Sequence, residues 1–280
     1  MLRFQRDRLY LGIEPDRLTF VRLSGASSNR VVTSAMLPFE GSSSESTLVE
    51  ALKQELRAAQ WQKAESHIVL ADRLVRYFVA ERPPGARNIE EVQLAAGLRF
   101  EDIFGVPANE WEIRLDMPAL ATNQLGCAIK KSFIADLLTA CTDAKSPVIS
   151  ITPFAVSEFN RSHAHVGRTD GWFAVLGNRS LWVGHKQGSD WLSVHQHALG
   201  EDISPEFSRL MAQEYLRAAL PPQMIPSTVW LCGLLGDQAT REQLVSNPAI
   251  LFGAPDWIGE TAQWSKTYRF ALSPIWPACN

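Results

Sequence analysis

The chain has 280 residues, 46% of them hydrophobic and 20% charged, with a net charge of -3. This composition excludes disordered, collagen-like and low-complexity chains, and at roughly 150 residues per domain it allows about two domains with a sizeable core. Its 27 Lys and Arg residues are scattered, so no basic stripe marks a nucleic-acid partner. The longest apolar runs, such as Trp172 to Leu176, fall far short of the ~20 residues that a membrane-spanning helix requires.

Met1 to Arg8 carry charge and lack the apolar stretch of ~7 to 15 residues that an export signal needs, so a cytoplasmic protein is expected. Cys127, Cys141, Cys232 and Cys279 form no CxxC pair and have no His at zinc-finger spacing. They read as buried thiols in a reducing compartment.

Three short strands open the chain, Leu9 to Ile13, Leu18 to Leu23 and Arg30 to Leu37, separated by Pro15-Asp16 and by the small polar run Ser24 to Asn29. Such an order predicts an antiparallel meander. Leu48, Val49, Leu52, Leu56 and Ala59 then form one apolar helical stripe behind a Ser-rich cap, and His67 to Ala71 read as a buried strand. Next come a strand at Tyr77 to Ala80, a break at Pro83-Pro84-Gly85, a helix over Ile89 to Phe104 and a strand at Trp111 to Asp116. Asn88 with Glu91 three residues on is a capping box, and Val92, Ala95, Ala96, Phe100 and Ile103 supply the helix's apolar stripe. A strand at Leu125 to Ile129, a helix carrying Phe133, Ile134, Leu137, Leu138 and Cys141, and a strand at Val148 to Ile151 complete the first half.

From Trp172 the opening order recurs: strands at Trp172 to Leu176, Ser180 to Lys186 and Trp191 to Ala198, a helix, and a strand at Thr228 to Cys232. Ser204 is placed to cap that helix, with Pro205 in its first turn. Phe207, Leu210, Met211, Tyr215 and Ala218 line one face, and Pro221-Pro222 stop it. First strands, helices and closing strands are offset by 163, 160 and 161 residues, which points to duplication. Two copies of strand-strand-strand-helix-strand form the skeleton of the ribonuclease-H-like fold, duplicated in actin, sugar kinases and chaperone ATPases. The expected fold is therefore α/β, a duplicated actin-like architecture with a small α/β subdomain inserted in the first half. Residues 1–160 form the first half, with the insert at about 76–126, and residues 161–280 form the shorter second half.

Leu11-Gly12-Ile13-Glu14, Leu37-Pro38, Glu91 to Ala95 with Glu101 to Phe104, Cys127 to Lys131, and Ile151 to Ala155 leading to Asn160 resemble, in order, the actin-like PilM family. That family includes type IV pilus-assembly proteins, the MSHA-pilus protein MshI and the cytoplasmic domain of the type II secretion protein GspL. The segment from Gly171 to Val194 is more similar to the MshI and GspL members. The resemblance implies a cytoplasmic scaffold peripheral to the inner membrane that joins an assembly ATPase to bitopic membrane partners. In some relatives the groove beside the insert takes up a partner's short cytoplasmic tail. Because Asn280 is reached with no transmembrane helix, this chain is expected to meet the membrane through a partner.

Actin-like enzymes hold phosphates in the first hairpin turn of each half, with an Asp for the metal and small residues whose N–H groups face the anion. Here that turn reads Ile13-Glu14-Pro15-Asp16-Arg17, with no glycine, one residue lacking an N–H, and two carboxylates. The resemblance places Glu14 at the family's Asp, where it is a candidate for magnesium held through water. The second turn, Gly177-Asn178-Arg179, has a glycine and a cation but no preceding acid, and it equally reads as an ordinary hairpin turn. Gly233, in Leu231 to Gly236, is the remaining element of the family's adenosine loop. Glu14, Gly177 and Gly233 are thus the positions of a degenerate nucleotide site. The expectation is no cofactor, with Mg-ATP as the alternative.

His163-x-His165 and His195-x-His197 have the spacing of strand metal ligands but no supporting Cys or carboxylate in sequence, so they read as surface histidines. Trp172, Trp182 and Trp191 fall on successive strands and either pack together or present a binding face, with core packing favoured. The insert offers a groove for an extended peptide, with Tyr77, Phe78, Phe100 and Phe104 as partner-binding candidates or as its own core. The function expected is a non-catalytic adaptor of a type IV pilus or type II secretion platform, binding a membrane-protein tail, the assembly ATPase, or both. The alternative is an active actin-like ATPase or kinase with a diverged phosphate site. A degenerate sugar kinase is disfavoured, since no sugar-site acid or base can be named.

Overall fold

The computed structural model describes residues 6–25, 30–116, 121–166, 170–200, 202–218, 229–234, 244, 250–252 and 269–275. The chain divides into two compact units. The first comprises residues 1–74, 130–157 and 256–280, and the second comprises residues 75–129 and 158–255.

In the first unit β1 (Arg8–Glu14), β2 (Arg17–Leu23) and β3 (Val31–Pro38) form the antiparallel meander. β4 (Glu65–Leu70) and β8 (Val148–Pro153) extend it in parallel, giving the order β3-β2-β1-β4-β8. Residues of β1 are buried from Leu9 through Glu14, as a central strand covered on both faces must be. The covering elements include α1 (Glu45–Leu56), which buries Leu48, Val49, Leu52 and Leu56, and α3 (Lys131–Asp143), which buries Phe133, Leu137, Ala140 and Cys141. Residues 269–275 return to this sheet. Ala271 and Leu272 pack with Tyr10, Val21 and Leu23, and Phe270 stacks on Phe154 at 4.7 Å. A Cβ on Gly12 would lie 2.8 Å from the Phe270 ring and 3.1 Å from Ala271, so this position in β1 must stay bare. Asp72, after β4, accepts the Ala155 N–H at 2.9 Å and so caps the start of α4 (Phe154–Val166).

The second unit holds the insert and the second sheet. β5 (Arg76–Glu81), β6 (Trp111–Leu115) and β7 (Asn123–Lys130) form a three-stranded sheet in the order β5-β7-β6, with α2 (Ile89–Phe104) against it. The expected capping box is present: Asn88 Oδ1 accepts the Glu91 N–H at 2.9 Å, and Glu91 Oε2 accepts the Arg87 N–H at 2.9 Å. Gly105, at φ 64°, ends the helix in the left-handed conformation that a C-terminal cap requires.

β9 (Gly171–Gly177), β10 (Ser180–Gln187) and β11 (Asp190–Ala198) repeat the meander, while β12 (Val229–Gly233) and β13 (Ile250–Phe252) extend it in parallel. The order β11-β10-β9-β12-β13 matches the first sheet strand for strand. This is the duplicated ribonuclease-H-like arrangement that the constant sequence offset predicted. The helix of this repeat, α5 (Ile203–Arg217), starts at Ile203 without a side-chain cap from Asp202, so Ser204 is its second residue rather than its cap. Among the described residues no helix is long and apolar enough to cross a membrane.

By packing, the insert goes with the second sheet, although it interrupts the first half in sequence. Asp190 Oδ1, at the start of β11, accepts the Thr122 and Asn123 N–H groups at 2.6 and 2.7 Å. Tyr77 of β5 meets Trp182 of β10 edge to face at 5.7 Å, and the Trp191 indole N–H reaches Asp116 at 3.4 Å.

Candidate functional site

Glu14 ends β1 and is 2% exposed. Directly across the hairpin lies Arg17, whose Nε is 3.7 Å from Glu14 Oε1 and whose Nη2 is 3.0 Å from Asp16 Oδ2. The hydrogen bond to Asp16 and the Glu14 charge hold the guanidinium more firmly protonated than usual. The Pro15 and Asp16 carbonyls accept the Ser43 and Phe39 N–H groups, each at 2.7 Å. The first turn therefore presents the Asp16 carboxylate and an internally paired cation, with the Glu14 carboxylate buried beneath. It offers none of the glycine N–H groups on which a phosphate cradle depends.

Gly177 and Gly233 lie together in the second unit, either side of Leu176. Gly177 pairs with Ser180 across a hairpin turn in which Arg179 adopts φ 54°, and a Cβ on Gly177 would fall 2.5 Å from Ser180 Oγ. Gly233 has φ 103°, pairs with Leu176, and a Cβ there would lie 2.2 Å from the Leu176 carbonyl oxygen. Both glycines thus have a local packing reason. Leu235 and Gly236, the rest of the adenosine-loop candidate, lie outside the described residues, as do the side chains of His163 and His165.

β5 separates the partner-binding candidates by strand alternation. Phe78 points into the insert's core with Ala80, Ala96, Phe100 and Trp111, and Tyr77 points to the opposite face against Trp182. Phe104 is half-buried, 4.9 Å from the Phe100 ring and beneath the Arg76 guanidinium at 5.0 Å. Of the two readings of Tyr77, Phe78, Phe100 and Phe104, a binding row or the insert's own core, their burial fits the core. A small subdomain has few large apolar side chains, and these four are consumed in building its interior and its seat on the second sheet. The tryptophans pack inward as well. Trp182 and Trp191 meet at 5.7 Å over Gly184, where a Cβ would collide with both rings, and Trp172 stacks on His185 at 4.3 Å.

An open cleft of about 520 Å³ lies in the first unit. Its wall is the start of α1, where Ser44 Oγ caps the Thr47 N–H, and its far side is the start of α3. Lys130 Nζ spans it to Glu45 Oε2 at 3.1 Å, over Leu74 and Phe133. Leu74 and Lys130 are also where the chain leaves for the insert and returns from it. Hydroxyls of Ser43, Ser46 and Ser132, the Lys130 ammonium, the Glu45 and Asp136 carboxylates and the apolar edge of Leu74 and Phe133 suit a short peptide, offering polar partners for its backbone and a surface for a side chain.

Sequence reasoning missed one cluster. His195 and His197 share a face of β11, as their spacing predicted, and Glu214 of α5 lies opposite both, with His195 Nδ1 at 2.6 Å and His197 Nε2 at 2.9 Å. Arg217 adds a third donor at 2.7 Å. Burial alone would raise the Glu214 pKa, but the two histidines, by hydrogen bond and by charge, hold it down to about 2. The available signal was an acid on the apolar face of α5, beside Phe207, Leu210 and Met211. With an arginine on the same carboxylate, the cluster is a hydrogen-bonded ion network. Among the described residues no group of His, Cys, Asp or Glu is arranged to hold a metal. Burial pushes the Cys141 thiol up to about 11, so it is inert at neutral pH, and Cys127 is only half-buried.

No protein-family model matches the chain, and no curated protein matches it either. Solved structures do. The PilM-PilN type IV pilus biogenesis complex gives a TM-score of 0.61 at 17% identity, covering 96% of this chain and 96% of that one. The cytoplasmic domain of EpsL, an inner-membrane component of the type II secretion system of Vibrio cholerae, gives 0.56 at 12% identity over 98% and 97%. A Bacteroides thetaiotaomicron protein with an actin-like ATPase fold and unknown function gives 0.53 at 12% identity over 88% and 89%. The chain therefore has the actin-like ATPase fold over nearly its whole length.

Proposed function

We propose that this chain is a non-catalytic adaptor on the cytoplasmic side of a type IV pilus or type II secretion platform, where it binds the cytoplasmic tail of a bitopic inner-membrane protein. The fold likeness to the PilM-PilN complex and to the EpsL cytoplasmic domain supports the setting. The observation that carries the loss of catalysis is the first turn. Glu14, Pro15 and Asp16 occupy the place of a phosphate cradle, with Arg17 already engaged by both acids. An incoming triphosphate would meet the Asp16 carboxylate there, with the buried charge of Glu14 behind it and no glycine N–H to receive it. The tail's seat in this reading is the cleft at Ser44, Lys130 and Phe133. The assembly ATPase is a further candidate partner, reached through another surface.

The test is calorimetric titration with Mg-ATP beside an unfolding scan with and without nucleotide. The adaptor gives no heat and an unmoved midpoint. Binding at a hundredfold excess over Kd would stabilise the fold by ~2.7 kcal/mol. That result would overturn the adaptor and restore the ATPase, with Glu14 as the metal-side carboxylate.

A further inference from the structure

α2 is two-faced in an unusual way. Its inner stripe, Val92, Ala96 and Phe100, is buried in the insert's core. Counting at 3.6 residues per turn, Leu94 and Leu98 lie together on nearly the opposite side. They are 67% and 62% exposed, more than any other large apolar residue on this helix. A helix that needs only one buried face has no structural use for a second leucine pair at i, i+4.

The surroundings of the pair are acidic. On the same outer face Glu90 and Glu91 lie one turn before Leu94, and Glu101 and Asp102 one turn after Leu98, all exposed. The only basic residue of the helix is Arg99, which pairs with Asp102 at 2.8 Å while leaving it exposed. The stripe thus reads acid, leucine, leucine, acid over about 17 Å.

We infer that this face of α2 docks a protein segment of complementary pattern: an amphipathic helix with two apolar residues four apart, flanked by Lys or Arg one turn to either side. Charge decides among occupants. A second copy, meeting this face about a two-fold axis, would set Glu90 against Asp102 and Glu91 against Glu101, like against like. An anionic lipid surface would be repelled. A basic helix satisfies both ends and covers both leucines. This surface is separate from the tail cleft and from the nucleotide-turn positions, so it goes beyond the adaptor reading and the Mg-ATP result does not bear on it.

Two arms test it on the full chain. In the first, fluorescence anisotropy measures binding of a synthetic helical peptide with a leucine pair flanked by lysines, against a control with glutamates in their place. The lysine peptide binds at least about tenfold tighter, and binding weakens with salt. The Leu94→Ser/Leu98→Ser variant loses about tenfold or more with an unchanged melting midpoint. Glu90→Lys/Asp102→Lys, which spares the capping residue Glu91, reverses the preference between peptides. Equal binding of both peptides, or undiminished binding by the double-serine variant, overturns the inference. In the second arm a photoreactive residue replaces Leu98 in cells, and the adduct is mapped by mass spectrometry. A net-positive segment of another protein, lost in the charge-reversed background, supports it. An adduct within a second copy of this chain, an adduct to a neutral or acidic segment, or no adduct overturns it.

Discussion

Glu214 shows what one side chain contributes to the second unit. Its carboxylate is 1% exposed, yet it stays ionised because His195, His197 and Arg217 all donate to it. Its folded pKa, about 2, lies below the ordinary 4.5, so the stabilisation is fully present above about pH 4.5 and is lost as pH falls towards 2. The linkage amounts to about 3 kcal/mol between those limits. Acid unfolding monitored by circular dichroism is expected to show this slope in the wild type, and Glu214→Gln is expected to flatten it while lowering stability at neutral pH. Gly233 makes a second residue-level case. Its φ of 103° and the 2.2 Å approach of a would-be Cβ to the Leu176 oxygen predict that Gly233→Ala costs about 1–3 kcal/mol or more. A thermal midpoint as high as wild type would refute that role. Neither feature was readable from local sequence. Glu214 reaches its histidines across 17 and 19 residues, and a lone glycine gives no hint that a carbonyl crosses over it.

Elements were more legible than contacts. Alternating and 3.6-residue periods depend on neighbours in the chain, which is why the strands of both meanders were placed to within a residue or two, whereas the stripe of α1 was carried to Ala59, past its end at Leu56, and α4 and β13 were not foreseen. The Asn88-Glu91 box is the clearest instance, since two residues satisfy three donors at the start of α2. Asn88→Ala is expected to cost about 1 kcal/mol, read as a lowered midpoint and as faster amide exchange in the first turn of α2. What periodicity could not supply was the partner of each face. Tyr77 and Phe78 are adjacent apolar residues on a strand, which signals burial on both sides without saying by what. The second face is met by Trp182, more than a hundred residues later. Hence the aromatic residues of the insert read equally as a groove or as its own core, and only the contacts with Trp182 and the Phe100 cluster distinguish the two.

At the scale of the molecule, duplication was visible as a constant offset, and the structure answers it with two sheets of the same order. The allegiance of the insert was not visible. It begins and ends within the first half of the sequence, but Asp190 fastens its return strand to the second sheet. Hydrogen exchange is therefore expected to protect β5 and β7 together with β9 to β11. Asp190→Ala, which strips the acceptor from two backbone N–H groups, should release β7 first. If β5 and β7 instead opened with wild-type protection after that change, the fastening would lie elsewhere.

The close packing of Phe270 and Ala271 over Gly12 bears on how such a chain is made. β1 finishes its packing only against residues translated roughly 260 positions later. At about 5–20 residues per second β1 waits some tens of seconds for that cover. The second unit's sheet needs nothing beyond residue 252 among its described strands. The cover of β1 follows β13 by fewer than twenty residues, so the two units close at nearly the same stage of synthesis, and the first sheet, whose last strand ends at Pro153, goes longest without its cover.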